Sequence, residues 1–265
     1  MGKGFSFADS KEALANNLDE EATQIFAALK QFFTLFNEFQ SRDLFLAGAN
    51  YAAASMPYIA KHVEEENATS DVRINLKGFI IGSPFLDLKQ EVDRAQTLLN
   101  FGLIDEEQKS LFDREMSKAR NLIQEGSIDE GTKISWSTIT GPDSLLAKTA
   151  GFTDCRSALM ANFVADESPF EGFLDTKQAH NYLHVGLHKF IDIDLDVTDR
   201  FTKEFISSHE VLFEEMLNKG YKVLVYSGQF DILVTEVSVM NVIQRLKWKG
   251  AKDFAKARRN IWRVK

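Results

Sequence analysis

The chain has 265 residues, 44% of them hydrophobic and 22 of them Phe, which suits one large α/β domain or two small ones and excludes a disordered composition. A formal net charge of −8, with no basic cluster outside the C-terminal tail, argues against nucleic acid as a partner. A single cysteine, Cys155, rules out an intrachain disulfide, and no apolar run reaches the ~18 residues of a membrane span.

Met1-Gly2-Lys-Gly-Phe-Ser6 matches an N-myristoylation pattern in letter, while no signal-peptide pattern follows Met1. Residues 19–40 carry Ala22, Ile25, Phe26, Leu29, Phe32, Phe33 and Phe36 at spacings of three and four, which predicts a helix with one apolar face. Asp43 to Ala47 reads as a short buried strand, and Tyr51 to Glu65 as the helix after it, with Pro57 in its second turn. Asn67-Ala-Thr69 is an N-glycosylation sequon, relevant only if the chain enters the secretory route.

The join between that strand and helix is the most telling feature. Gly48-Ala49-Asn50-Tyr51-Ala52 has the form of a nucleophile elbow, Gly-x-Ser-x-Gly, in which a sharp strand-to-helix turn presents a serine. Here an amide replaces the hydroxyl, and a carboxamide does not attack a carbonyl at neutral pH. Ser55 is no substitute: it lies five residues on, more than a helical turn from the elbow.

Ile74 to Ile81 is a second buried strand, closed by Gly82-Ser83-Pro84, so strand, helix and strand form a βαβ unit with parallel pairing. Residues 88–125 are charged, free of Pro and predicted helical; residues 126–170 read as looser, with Trp136 as an anchor. Helices are expected from Phe173 to Leu183, ending near Gly186, and over about 199–218. Tyr221 to Tyr226 is a third buried strand, and the turn after it sets Asp231 at the C-terminal edge of the sheet, where ligands collect in open α/β folds. Lys252 to Lys265 is basic but interleaved with Phe254, Ile261 and Trp262, and reads as a solvated amphipathic stretch.

These segments resemble the serine carboxypeptidases, and within them the vitellogenic carboxypeptidase-like branch. Gly2-Lys-Gly-Phe-Ser-Phe7 is similar to that family's Val-Gly-Thr-Gly-Phe-Ser-Phe, the elbow to its Gly-Glu-Ser-Tyr-Ala-Gly, and Ile74 to Gly82 to its Ile-Asn-Leu-Lys-Gly-x-x-Ile-Gly. Leu183-His184-Val185-Gly186, Tyr226-Ser-Gly-Gln-Phe-Asp231 and the stretch from Trp248 to Trp262 match three further blocks in order. The family's signal peptide, Asn-Gly-Gly-Pro-Gly loop and Gly-x-Gly-His block have no counterpart in this sequence.

The resemblance implies an α/β-hydrolase fold, apparently truncated at both ends: a single partial domain over residues 1–265, with a mostly parallel sheet and a largely helical cap at about 86–215. It puts Asn50 at the nucleophile position, Asp231 at that of the triad acid, and the Tyr51 N–H at an oxyanion donor position. It puts Ala49 where the family's carboxylate-recognising glutamate stands. His62, His180, His184, His188 and His209 all precede Asp231, the wrong side for the catalytic histidine, and His184 sits in a block that is structural in the family. The implied partners are peptide C-termini, with no metal and no cofactor.

The family reaction releases C-terminal amino acids through a serine acyl-enzyme, and this sequence is expected not to perform it. The alternatives are a peptide- or protein-binding module and a truncated version of a longer, active, secreted carboxypeptidase. The resemblance implies the secretory pathway, lysosomal or extracellular, whereas a true start at Met1 would leave the protein in the cytosol. Three strands suggest a sheet with an unpaired edge and hence poor solubility.

Overall fold

The computed structural model describes residues 3–86, 94–161, 169–192 and 194–263. Its first long element is helix α1 (Leu18–Leu35), which starts where the Asn17 side chain accepts the Glu20 N–H. Leu18, Ala22, Phe26 and Phe33 are its buried residues. Phe32 and Phe36, expected on the apolar face, are exposed by 44% and 45% and pack on one another at 5.0 Å instead.

Strand β1 (Leu44–Ala49), helix α2 (Ala52–Asn67) and strand β2 (Leu76–Gly82) form the βαβ unit anticipated from the sequence. The strands pair in parallel, with Leu46 opposite Phe79 and Gly48 opposite Ile81. Pro57 is the sixth residue of α2, past the four N–H groups a helix leaves free, so it removes the donor to the Ala53 carbonyl. The helix nonetheless runs on to Asn67. There the side chain accepts the Ile74 N–H and donates to the Ile74 carbonyl, both at 2.9 Å, which closes the loop into β2.

Among the described residues, helices alone carry the chain from β2 to the last strand. The expected helix over 88–125 divides into α3 (Arg94–Asn100) and α4 (Glu106–Gln124); its residues 88–93 lie outside those described. Gly102 at φ +68° turns the chain between them, and Asp105 and Gln108 make a reciprocal capping box that opens α4. The stretch expected to be loose holds α5 (Ile128–Ser137) and α6 (Leu145–Ala150). Two further expected helices are also broken. The first becomes α7 (Pro169–Leu174) and α8 (Lys177–Leu183), separated where Thr176 caps α8; the second becomes α9 (Leu195–Phe205) and α10 (Glu210–Lys219). Polar residues that could sit on a helix face act here as caps, a choice helical periodicity does not register.

Strand β3 (Lys222–Tyr226) then pairs in parallel with β2, giving the order β1-β2-β3, and α11 (Glu236–Arg245) and α12 (Ala251–Lys256) follow. One face of the sheet packs on α1, α2 and α10 through Phe26, Met56, Phe79, Ile81, Phe213 and Met216. The other face is largely bare. The expectation of three buried strands therefore holds for β2 alone: β1 and β3 alternate half-buried and exposed residues, since each is an edge with one face uncovered. Cys155 is buried in a second core, in the helical region, with Leu98, Ile139 and Leu146.

The ends of the helical region are anchored at two places. Gly4 exchanges both backbone hydrogen bonds with Ile191, and Phe7 stacks on His188 at 3.7 Å. Buried His209, just before α10, meets Tyr58 of α2 through Nδ1 at 3.5 Å and the Glu204 carbonyl through Nε2 at 2.9 Å. A neutral ring that donates from Nε2 and accepts at Nδ1 fits both partners.

Two expectations follow from this packing. A Cβ on Gly78 would lie 1.9 Å from the Lys222 backbone oxygen, whereas one on Gly172 meets nothing within 4 Å. Gly78→Ala should cost about 1–3 kcal/mol, a fall in melting temperature of several degrees, and Gly172→Ala should be neutral or slightly stabilising by calorimetry. Burial pushes the His209 imidazole below its ordinary range, with the Glu204 carbonyl partly opposing. Its contribution is fully present above the unfolded value of about 6.5 and is lost as pH falls from there through the depressed folded value. Melting temperature should thus drop between pH 7.5 and 5.5, and by less in His209→Gln; equal drops in the two proteins would remove His209 as the cause.

Candidate functional site

The C-terminal ends of the three strands converge on one polar cluster. Asn50 ends β1 with φ +54°, in the left-handed region where Asn is among the few non-glycine residues commonly found. Its N–H donates to the Gly82 carbonyl at 2.9 Å, and its own carbonyl accepts from the Ala53 and Phe85 N–H groups at 3.1 and 3.3 Å. The turn is sharp because space behind it is short: a Cβ on Gly48 would lie 2.6 Å from Ala52 Cβ and 2.9 Å from Met56 Cε. Glycine at that position is a steric requirement.

Ser83 ends β2 in the same way, at φ +39°, and its N–H donates to the Tyr226 carbonyl at 2.8 Å. Its hydroxyl donates to Asp231 Oδ2 at 2.8 Å, and Asp231 Oδ1 accepts the Val234 N–H at 2.9 Å. Hydrogen bonds thus tie the three strand ends together, Asn50 to Gly82 and Ser83 to both Tyr226 and Asp231. Both carboxylate oxygens of Asp231 are engaged. Sequence reasoning missed Ser83; the signal available was a polar residue placed directly after a buried strand.

Tyr51 follows Asn50 at the start of α2, where backbone N–H groups have no preceding turn to accept them. Its ring packs against Phe201 at 6.1 Å and Phe205 at 5.7 Å, so α9 lies over the elbow. Burial pushes the Tyr51 phenol far up, reinforced by the nearby Glu21, Glu204 and Tyr58. Ala49 is exposed at the end of β1 and brings no polar group to the cluster. Asn67 lies at the opposite end of α2, tied to Ile74.

Ser55 is buried, faces α1, and donates to Glu21 Oε2 at 2.7 Å, so it takes no part in the strand-end cluster. The histidines lie elsewhere. His62 packs on Phe26, His180 reaches the Gly186 carbonyl at 2.9 Å, His188 stacks on Phe7 and His209 is held as described. His184 closes α8 at φ +54°, which accounts for the Leu183-to-Gly186 block as a helix stop. Among the described residues no group of three or more His, Cys, Asp or Glu could hold a metal ion, and no helix is long and apolar enough to cross a membrane.

The cluster makes a stability prediction independent of any activity. Asp231→Ala leaves the Ser83 hydroxyl and the Val234 N–H without their acceptor and should cost about 1–3 kcal/mol. Ser83→Ala should cost about 1 kcal/mol, and a double-mutant cycle by urea unfolding should show coupling of at least about 0.5 kcal/mol. Simple additivity would mean that the two do not act together.

Comparison with known proteins gives one consistent result. A family model described as serine carboxypeptidase matches residues 1–263. A "Probable serine carboxypeptidase CPVL" of Mus musculus is 30% identical over 269 residues, covering 100% of this chain and 56% of its own length. A "Venom serine carboxypeptidase" of Apis mellifera is 29% identical over 269 residues, covering 100% and 57%. The crystal structure of Kex1Δp, a prohormone-processing carboxypeptidase of Saccharomyces cerevisiae, shares the fold with a TM-score of 0.72 at 20% identity, over 91% of this chain and 55% of that one. The chain therefore spans about half the length of the curated relatives it matches.

Proposed function

The chain belongs to the serine carboxypeptidase family, and from its strand-end geometry we infer that it is a catalytically silent member, able to hold a peptide end but not to cut it. The observation that carries this reading is the carboxamide of Asn50 at the left-handed elbow, φ +54°. In the triad scheme the elbow serine attacks, the histidine carries its proton and the acid holds the ring. Asn50 occupies the serine's place, and removal of a triad nucleophile costs on the order of 10⁶ in rate. Residue 50 lies well inside the chain, so the argument does not depend on any polypeptide that flanks it.

Other parts of the arrangement support the same reading. Asp231 sits where the triad acid belongs, and both of its carboxylate oxygens are engaged by Ser83 and Val234. The Tyr51 N–H stands at an oxyanion donor position with no serine at residue 50 for it to serve. Ala49 brings no carboxyl group to a terminal carboxylate, so a peptide end should be held more weakly than the family's own glutamate would hold it. The strand ends keep the shape of a hydrolase site and lack its reacting atom.

A fluorophosphonate probe should leave the protein unlabelled, and a blocked dipeptide should bind saturably without product. Labelling at any serine of the unmodified chain would overturn the proposal. We also place the protein in the secretory route that the resemblance implies, with Asn67 as a glycan acceptor; expression in a secreting eukaryotic cell should give a mass shift that Asn67→Gln abolishes.

A further inference from the structure

Helix α9 seats on the elbow amid a cluster of acids and phenols. Phe201 and Phe205 pack on the Tyr51 ring, and Phe205 also meets Phe85 at 5.0 Å and Trp136 at 5.7 Å. Glu204, next to Phe205, is half-buried against the start of α1. The titratable groups around it are Asp19 and Glu21 of α1, Tyr51 and Tyr58 of α2, and His209 beyond the end of α9. On α9 itself Arg200 turns to Asn16, and Lys203 is exposed.

Two features make this seat sensitive to charge. The Tyr51 hydroxyl is buried and makes no hydrogen bond among the described residues, a costly arrangement that leaves the contact little in reserve. Burial and then the Asp19 carboxylate hold the Glu204 carboxyl above its ordinary range, and the Leu18 N–H opposes them only in part. An ionised Glu204 meets like charge in a half-dry site. A protonated Glu204 removes that repulsion and adds a donor among the phenols.

We propose that α9 is a pH-gated lid on the elbow, seated while Glu204 is protonated and lifted when Glu204 ionises. Lifting parts Phe201 and Phe205 from Tyr51, and Phe205 from Trp136, and so uncovers the ring next to Asn50. The lid governs access to Asn50 whatever that site binds. Its direction follows from linkage. A carboxyl whose value is raised in the seated form favours that form fully below its ordinary value of about 4.5, and progressively less as pH rises through the raised value. The lid is therefore closed in acid and opens toward neutral pH.

Trp136 is a built-in reporter of the seat. In the full chain carrying Trp248→Phe and Trp262→Phe, acrylamide quenching of Trp136 should rise at least about twofold from pH 5 to pH 8. Adding Glu204→Gln, neutral at every pH and close in shape, should hold quenching at its low level throughout. Asp199→Asn removes an exposed acid from the same helix and should leave the rise intact. His209 titrates in every variant and cancels in the comparison. Amide hydrogen exchange in the unmodified chain, corrected for intrinsic rates, reads the same motion without substitutions: protection of α9 should fall several-fold more than that of α2 over this range. A level profile in the parent, an equal rise in Glu204→Gln, loss of the rise in Asp199→Asn, or equal changes in α2 and α9 would each overturn the proposal.

Discussion

The hydrogen bonds that join the C-terminal ends of the three strands are the constraint on which the rest of the molecule depends. They force two successive strands to end in left-handed residues, Asn50 and Ser83, and they hold the Asp231 turn against the end of β2. The direction of α2, the seating of α9 over Tyr51 and the position of the polar cluster all follow from those ends. The glycine requirement at Gly48 is the same constraint seen from behind the turn.

Left-handed backbone is costly for most side chains, of order 1–3 kcal/mol where structure imposes it, and Asn bears it better than most. A serine at position 50 would be reactive and strained; the asparagine found there is inert and more comfortable. Catalytic sites commonly hold such strain because the chemistry requires it. On the proposed reading the backbone geometry outlives its chemical use, and an asparagine at position 50 relieves part of the strain. That is the direction expected once selection for activity is lifted from a marginally stable protein.

The three strands, α1 and the elbow were legible in the sequence, because apolar runs flanked by Gly and Asn have few other readings. Burial of the strands was not, since an apolar run does not reveal whether one face of the sheet will be covered. Nor were the helix breaks at Thr176 and around residues 206–209, where capping competes with periodicity. The Ser83–Asp231 bond joins residues far apart in the chain, and nothing local to either one announces the other. The Asn50 substitution was legible only because its two neighbouring small residues mark the turn so clearly.

The wide separation of β2 and β3 along the chain has a kinetic meaning. Gly78 pairs with Lys222 across the entire run of helices. Closing a longer loop costs equilibrium stability only slowly, about 0.6 kcal/mol for each doubling, but non-local contacts slow folding. The helices between them close mainly short-range contacts and can form early. On a ribosome, β1 and β2 emerge long before β3, which pairs with the far side of β2. During that interval β2 has an open flank opposite β1, and the Tyr226 carbonyl that Ser83 needs has not yet been made. Shielding by chaperones matters most in that window, well before the sheet has its third strand.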